Sequence, residues 1–417
     1  MALNWVWIGF FIVGFVVAVV RTVFGYWGGG TVEDQHVFLS IGNGTFASAK
    51  AAFEVALGLV GVVTLWMGIM RVGEKAGAIN FLGRIVGPFL RRLFPDIPKD
   101  HPAHGHIVMN FSANMLGLGN AATPMGLKAM ESMQELNKEK ETASNPMIMF
   151  LALNTAGFTL VPVTIMAIRA QQKAADPSDV FVPILLTSYC ASLIGMIAVA
   201  IRQRINLLDK VLLAWLAGGT ALIAGIVALF MNLPPQTRAE VSGVFGNIIL
   251  FGIIVAFICG ALAKKQPVFE SFIEGAKEGF NTMIRVAPYL VGIIVAIGVF
   301  RNCGAMDYLV RGITWCFEKA GIDTQFCSSL TVGLMKPLSG SGTQGLTIDN
   351  MIKYGADSFT GRLSSVMYAS ADTTFYILAL YFGSVGIKKT RYALGAGLIA
   401  DFAGILAAIF VSYLFWG

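Results

Sequence analysis

The chain has 417 residues, of which 56% are hydrophobic and only 13% are charged, and its mean hydropathy is +0.70. Because ordinary soluble domains carry about 25% charged residues, this composition excludes a typical soluble protein and predicts a membrane protein. The net charge of +6 gathers in a few loops, as in membrane proteins with positive cytoplasmic loops, and does not form a face for nucleic acid.

The hydropathy pattern predicts an all-α polytopic membrane protein with about nine spanning helices. A span needs about 20 apolar residues to cross about 30 Å of hydrocarbon. The segments that meet this condition are 5–27, 50–72, 146–169, 180–201, 209–232, 243–264, 282–301, 362–384 and 391–416. Two further segments, 80–94 and 306–320, place charges at helical spacing on an apolar body, which is typical of interfacial helices.

Two other apolar stretches, 103–137 and 324–357, are interrupted in the middle by Gly, Ser, Thr, Asn and Pro. We expect each to form a re-entrant helical hairpin that enters and leaves the membrane on the same side. With that topology, the clusters of Lys and Arg all lie on the cytoplasmic face. The sequence therefore predicts a multi-pass protein of the bacterial inner (plasma) membrane with a cytoplasmic N-terminus.

Three short sequence patterns recur in the same order in the two halves of the chain: 77–82 with 304–309, 116–120 with 337–341, and 150–155 with 368–373. An odd number of predicted spans separates the two copies, so the copies face opposite ways across the membrane. We therefore expect two inverted-topology repeats, a plan that recurs in secondary transporters.

The predicted organisation has three parts. Residues 1–205 form the first repeat, 206–235 hold a linking helix, and 236–417 form the second repeat.

The hairpin tips and the facing helices are the predicted binding site. Backbone that leaves helical geometry at membrane depth has to be buried in protein or line a polar cavity. The free N–H groups at such a tip can hold an anionic group. The candidate substrate-binding residues are Asn110, Asn114, Asn120, Thr123, Asn154, Thr155, Lys336, Ser339, Ser341, Thr343, Gln344, Asp372 and Thr373. The alternative is that these small polar residues only cap the breaks in the helices.

Lys336 and Asp372 are the charged candidates at this site. An ammonium at membrane depth is costly unless it is paired or solvated. Lys336 therefore either binds a carboxylate or phosphate of the substrate, or neutralises Asp372 or Asp349 within the fold. Asp372 either couples transport to Na⁺ or H⁺ or forms a structural ion pair.

The sequence predicts no enzyme, no catalytic residue, no resident cofactor and no metal site. No Walker, Rossmann, zincin or nucleophile-elbow motif is present, and no nucleophile stands near a base in the sequence. The three histidines within 101–106 lie in a segment with Pro and Gly, which favours a polar cytoplasmic loop. The five cysteines are scattered without a C-x-x-C pair.

Two stretches of the sequence resemble a known family. MNFSANMLGLGNAATPMGLKAM at 109–130 resembles the signature of spore maturation protein A. RVAPYLVGIIVAIGVFRNCGAMD at 285–307 and LMKPLSGSGTQG at 334–345 resemble spore maturation protein B. The chain thus looks like a fusion of the two, each half carrying a nucleoside-recognition (Gate) domain. Similar domains form the paired hairpins of concentrative nucleoside transporters and the membrane part of ferrous-iron transporter B proteins. The resemblance implies an inverted-repeat, transporter-like core.

The resulting hypothesis is a secondary transporter in the lipid bilayer that moves a small polar, anionic or zwitterionic solute by alternating access. The first alternative is a non-transporting membrane module that acts with cell-envelope or spore-maturation machinery. The second is a metal-ion transporter, although Ser, Thr and Asn at the tips disfavour soft metals. Assembly into a homo-oligomer is left open.

Overall fold

A computed structural model describes residues 2–417, without the side chains of 2–3, 119–120 and 235–236. In this part of the chain the fold consists of eighteen helices and contains no strand. The described chain is therefore all-helical, as the hydropathy pattern predicts.

The first ten helices cover the predicted first repeat and the linking helix. They are α1 Ala2–Trp27, α2 Val32–Gln35, α3 Val37–Ala76, α4 Ala78–Leu93, α5 Ala103–Met115, α6 Gly119–Leu136, α7 Asn145–Ala156, α8 Val163–Gln171, α9 Phe181–Gln203 and α10 Lys210–Met231.

The other eight helices cover the predicted second repeat. They are α11 Pro235–Ala263, α12 Val268–Asn302, α13 Ala305–Lys319, α14 Cys327–Met335, α15 Gly340–Tyr354, α16 Phe359–Ala369, α17 Thr374–Ser384 and α18 Ala393–Trp416. The order of elements in α3–α9 recurs in α12–α18: a long helix, an amphipathic helix, a hairpin, an interrupted helix and a closing helix.

Seven helices of the described chain are long and apolar enough to cross a membrane: α1, α3, α9, α10, α11, α12 and α18. The prediction of continuous spans at 146–169 and 362–384 is wrong. The first is divided into α7 and α8, because Gly157 ends α7 with a φ of +56° and Pro162 has no N–H to continue a helix. The second is divided into α16 and α17, because Thr373 has an extended backbone.

The two predicted hairpins each consist of two helices joined by a short turn. The hairpin α5–α6 turns at 116–118, and the hairpin α14–α15 turns at 336–339. Positive φ at Gly117 (+74°) makes the first turn possible without a steric penalty. In the second, the Ser339 hydroxyl caps α15 by accepting a hydrogen bond from the Gly342 N–H at 3.0 Å.

The two hairpins approach the centre from opposite ends of α18. In the segment that follows the first hairpin in the chain, the Glu141 carbonyl accepts a hydrogen bond from the N–H of Lys388 at 2.9 Å, and Lys388 lies just before α18 begins. In the segment that precedes the second hairpin in the chain, Asp323 accepts a hydrogen bond from the hydroxyl of Tyr413, near the other end of α18. The bases of the hairpins therefore lie at opposite ends of the bundle, and their tips point toward each other.

The closing helices of the two halves, α9 and α18, pack antiparallel through small residues. A Cβ built on Gly195 would lie 2.8 Å from the Ala400 Cβ, and one built on Gly404 would lie 3.4 Å from the Ala191 Cβ. Small residues at both crossing points let the two backbones approach closely, as is common between membrane helices.

The long helices α3 and α12 are antiparallel as well. Gly44 near the start of α3 faces Asn302 at the end of α12, and Gly68 farther along α3 faces Phe272 near the start of α12. Two pairs of corresponding helices thus run in opposite directions, as an inverted repeat requires. The inverted relation of the two complete halves stays a prediction.

Candidate functional site

Each hairpin tip is tied by a backbone hydrogen bond to the interrupted helix of its own half. The Leu160 N–H, in the break between α7 and α8, donates to the Met115 carbonyl at 2.8 Å. The Phe375 N–H, at the start of α17, donates to the Pro337 carbonyl at 3.0 Å. The free backbone groups of tips and breaks therefore satisfy one another, which is necessary where no water replaces them.

The two helix breaks are also bonded to each other. The Asp372 N–H donates to the Thr155 carbonyl at 2.7 Å. Gly157 lies so close that a Cβ at this position would be 3.2 Å from the Asp372 nitrogen. Four interruptions of helical backbone, two from each half, thus meet in one region of the molecule.

A cavity of about 230 Å³ lies where these interruptions meet. Its volume is below the roughly 300 Å³ of small drug-sized sites, so it suits a small metabolite. Side chains and backbone from both halves line it, including Asn114, Gly117, Asn154, Lys336, Tyr368, Asp372 and much of the break from Gly157 to Ile165.

Lys336 is buried at the edge of this cavity, with only 6% of its surface exposed. Its Nζ donates to the Tyr368 carbonyl at 2.5 Å and lies 4.9 Å from the centre of the Tyr368 ring. Asp372 and Asp401 act on the ammonium electrostatically, but no described carboxylate forms a direct ion pair with it. The alternative that Lys336 is held by Asp349 does not apply, because Asp349 pairs with Arg301.

Asp372 is the exposed acid of the site. It lines the cavity, and its Oδ1 accepts a hydrogen bond from the Thr373 N–H at 2.7 Å, at the start of α17. The carboxylate is therefore held by a backbone bond just before the second half of the interrupted helix and borders the cavity.

Three predicted asparagines belong to the first half of the site. Asn114 donates from Nδ2 to the Asn154 Oδ1 at 2.8 Å, and both side chains line the cavity. Asn110 lies a turn deeper, fully buried, and donates to the Ala122 carbonyl at 2.9 Å. Asn110 thus joins the two arms of the hairpin and does not line the cavity.

The predicted residues of the second hairpin are mainly structural. Thr343 is buried and donates from its hydroxyl to the Ser339 carbonyl at 2.6 Å. Ser341 and Gln344 are half-buried on α15 and, like Ser339 and Thr343, do not line the described part of the cavity. For Ser339 and Thr343, the capping alternative agrees with their contacts.

The other predicted residues lie around the site. Thr155 and Thr373 are buried, and the hydroxyl of each has no partner in the part of the chain that the structure describes. Thr123 is half-buried on α6. Asn120 lies at the start of α6, and its side chain is outside the described residues.

Asp401, in the middle of α18, is the residue that our sequence reasoning missed. It is 2% exposed, and its Oδ2 accepts a hydrogen bond from the Thr374 hydroxyl at 2.5 Å. The sequence did contain a signal for Asp401, because an acidic residue inside an apolar span is rare and is usually functional.

Among the described residues, no group of three His, Cys, Asp or Glu side chains is arranged to hold a metal ion.

Together, the apolar helices and the cavity at the interrupted helices are those of a multi-pass membrane protein. A family model for nucleoside recognition, called Gate, matches residues 56–172 and 283–388. These ranges hold both hairpins and both interrupted helices. The chain belongs to this Gate family.

Two curated proteins are similar in sequence to different parts of the chain. The chain is 39% identical over 201 residues to Spore maturation protein A of Bacillus subtilis (strain 168), covering 48% of this chain and 93% of that protein. It is 43% identical over 174 residues to Spore maturation protein B of the same organism, covering 42% of this chain and 91% of that protein. The resemblance to both proteins is therefore confirmed, and it fits a fused chain. The exact boundaries at 205 and 236 stay predictions.

Proposed function

We propose that this protein is a secondary transporter of the bacterial inner membrane that moves a small anionic or zwitterionic solute by alternating access. The observation that carries the proposal is the position of Lys336. A buried ammonium without a directly bonded carboxylate borders the cavity where both hairpins and both helix breaks meet. Because an unpaired charge at membrane depth is costly, such a residue is expected to have a functional partner.

The chemistry of the lining supports an anionic group as that partner. A Lys ammonium has three donors, and the Tyr368 carbonyl occupies one of them. The remaining donors suit a carboxylate or phosphate of the solute. Asp372 and the Asn114–Asn154 pair supply acceptors and donors for a second, polar or cationic end of the solute.

The packing of the two halves supports alternating access. The antiparallel helices α9 and α18, one from each half, contact each other through small residues at both crossing points. The site lies where the two hairpin tips meet, so tilting one half against the other would open it to one side of the membrane at a time. We place the N-terminus on the cytoplasmic side, because the clusters of Lys and Arg then face the cytoplasm.

A membrane module without transport activity is the second candidate function, because both relatives are named as spore maturation proteins. Such a module would act with envelope or spore machinery and would need no solute. A transporter of soft metal ions is disfavoured, because the described lining of the cavity offers amide and carboxylate oxygens and no Cys or His side chain. We expect the protein to move the solute without changing it chemically.

Binding and uptake distinguish these functions. Purified protein is screened by thermal shift against glutamate, glycine, citrate, phosphate, uridine and a dipeptide. A ligand at about 100 times its Kd should stabilise the protein by about 2.7 kcal/mol. The compound that stabilises it is then tested for uptake into proteoliposomes.

Lys336→Ala should abolish the shift and reduce uptake at least about tenfold, which corresponds to about 1.4 kcal/mol. Lys353→Ala is the matched control, because Lys353 also lies in the second hairpin but is exposed and pairs with Asp307 at 3.3 Å. Unchanged uptake by the Lys336 variant removes this residue from the site. The absence of binding and uptake for every compound favours the module without transport.

A further inference from the structure

Asp401 is a buried carboxyl group with one free oxygen. Its Oδ2 accepts a hydrogen bond from the Thr374 hydroxyl at 2.5 Å. Its Oδ1 is buried and has no hydrogen-bond partner among the described residues. A carboxylate in such a place would be strongly penalised for the loss of hydration. Protonation of Oδ1 would remove that penalty without any rearrangement of the helix.

Asp401 is separated from the cavity by a few small residues. Gly397, one turn before it on α18, contacts Thr374 and Thr155: a Cβ there would lie 3.0 Å from the Thr374 hydroxyl and 3.4 Å from the Thr155 methyl. Thr155 directly follows Asn154, which lines the cavity, and its hydroxyl has no described partner. A hydroxyl that can both accept and donate is suited to relay a proton.

The charged groups that face Asp401 are few. Lys336 at the end of α14 acts on it electrostatically, as does Asp372 in the break before α17, and the phenol of Tyr368 on α16 lies beside Lys336. The other helices that pack against α18 present arginines only toward its ends. These are Arg202 near Tyr392, Arg238 near Leu414 and Arg362 near Trp416.

We propose that Asp401 carries the coupling proton of this transporter, an inference that rests on the proposed function. Lys336, Asp372 and Asp401 together hold one positive and two negative charges, and one proton on Asp401 makes the set neutral. A monoanionic solute bound at Lys336 adds one negative charge, so the net charge of the occupied site is −1 with the proton on Asp401 and −2 without it. The O–H bond forms at Oδ1 with a proton from water on the side of entry, already in the solute-free protein at low pH, and a bound anion favours it. After the solute leaves on the other side, the bond breaks and the proton passes to water there.

A proton suits this site better than Na⁺. A sodium ion needs several oxygen ligands around it, whereas a proton needs only the free Oδ1. The coupling role therefore moves from Asp372, which is exposed, to Asp401.

The first experiment needs no solute. Infrared difference spectra of the protein in liposomes are recorded between about pH 5 and about pH 8. Ordinary exposed carboxyl groups are largely ionised throughout this range and contribute little to the difference. The wild type should show a carbonyl band of a buried protonated carboxyl group. Asp401→Asn should lose the band, and Asp372→Asn should keep it. A band that persists in Asp401→Asn overturns the inference.

The second experiment measures coupling. Proteoliposomes that contain the pH dye pyranine receive glutamate, citrate or uridine, and proton entry is compared with uptake of the same labelled compound. Asp401→Asn should exchange labelled for unlabelled compound but lose proton entry at least about tenfold. Asp401→Glu, which keeps the carboxyl group, should restore part of the proton entry, and Asp307→Asn should behave as wild type.

The outcomes separate the two proposals. Uptake without proton entry in the wild type, or proton entry that persists in Asp401→Asn, overturns the coupling role of Asp401. The absence of both exchange and uptake in the wild type overturns the proposed function instead.

Discussion

The backbone N–H of Asp372 donates to the carbonyl oxygen of Thr155 at 2.7 Å. This bond joins the break in the helix of one half to the break in the helix of the other. Because each break is also bonded to its own hairpin tip, the four interruptions form one connected unit. A shift at either break is therefore transmitted directly to the opposite half.

Gly157 sets the geometry of this contact, and Gly157→Ala should disturb it. Its φ of +56° is unfavourable for alanine, and the new Cβ would lie 3.2 Å from the Asp372 nitrogen. We expect a loss of about 1–2 kcal/mol in unfolding free energy from the left-handed backbone alone. Uptake or ligand binding should fall as well, because the break lines the cavity.

Gly386→Ala is the matched control for that substitution. Gly386 also has a positive φ of +73°, but no atom lies within 4 Å of the position of a new Cβ. It should lose a similar amount of stability in thermal unfolding and retain binding. Equal effects of the two substitutions on binding would contradict the role of Gly157.

The crossing of α9 and α18 gives a second prediction, in which two Gly→Ala substitutions have opposite signs. In Gly195→Ala, the new Cβ would meet the Ala400 Cβ at 2.8 Å, so the helices have to separate. Overpacking of this kind costs about 1–3 kcal/mol. Gly395→Ala on α18 meets nothing within 4 Å and should stabilise the helix by up to about 1 kcal/mol.

Thermal unfolding in detergent measures both variants. If Gly195→Ala were as stable as Gly395→Ala, the close approach of α9 and α18 would not be a feature of the folded protein.

The sequence predicted the hairpins because their Gly, Ser and Pro residues stand out against apolar surroundings. It did not predict the breaks at Gly157 and Ser370, since hydropathy averaged over about 20 residues tolerates a few helix-breaking residues. The sequence analysis did not single out Asp401 for the same reason, because one acidic residue hardly changes the average hydropathy of an apolar span. These local interruptions are the features that build the site.

Other properties could not be predicted from the sequence because they depend on distant contacts. The sequence predicted that Lys336 binds substrate or pairs with Asp372 or Asp349. Only the packing shows that Asp349 forms an ion pair with Arg301 instead. Arg169 was placed at the end of an apolar span with no assigned partner. One of its two ion-pair partners, Asp179, is close to it in the chain, but the other, Asp357, lies in a loop of the other half.

Arg169 is the centre of a buried ion network between the two halves, and its loss should be costly. It is 0% exposed and pairs with Asp179 at 2.8 Å and with Asp357 at 3.1 Å. Arg169→Met would leave the buried Asp179 with Arg362 alone. Removal of one member of a buried ion pair costs about 3–5 kcal/mol, so we expect a strongly lowered unfolding temperature.

Lys388→Met provides the comparison, because Lys388 forms an exposed pair with Glu141 at 2.5 Å. Exposed pairs contribute about 0–1 kcal/mol. Both variants are measured by thermal unfolding in the same detergent. Similar effects of the two substitutions would show that the Arg169 network does not hold the halves together.

The connection between α1 and α3 gives a prediction on pH. Asp34 accepts hydrogen bonds from the Thr31 backbone N–H at 2.9 Å and from the Thr31 hydroxyl at 2.8 Å, and it forms an ion pair with Arg21 at 2.7 Å. These donors favour the carboxylate, so the pKa of Asp34 lies below its ordinary value, with the Thr31 backbone bond as the largest cause.

A lowered pKa in the folded state means that the unfolded chain binds the proton more tightly. The contribution of Asp34 to stability is therefore present above the ordinary Asp pKa of about 3.9 and is lost as the pH falls through the lower folded value. Asp34→Asn should be less stable than wild type at neutral pH, and the difference should shrink below about pH 4. Thermal unfolding of both proteins across this range tests the prediction, and a difference that grows toward acid pH would contradict it. Glu33→Gln, which changes the neighbouring acid, is the control and should leave this pH dependence in place.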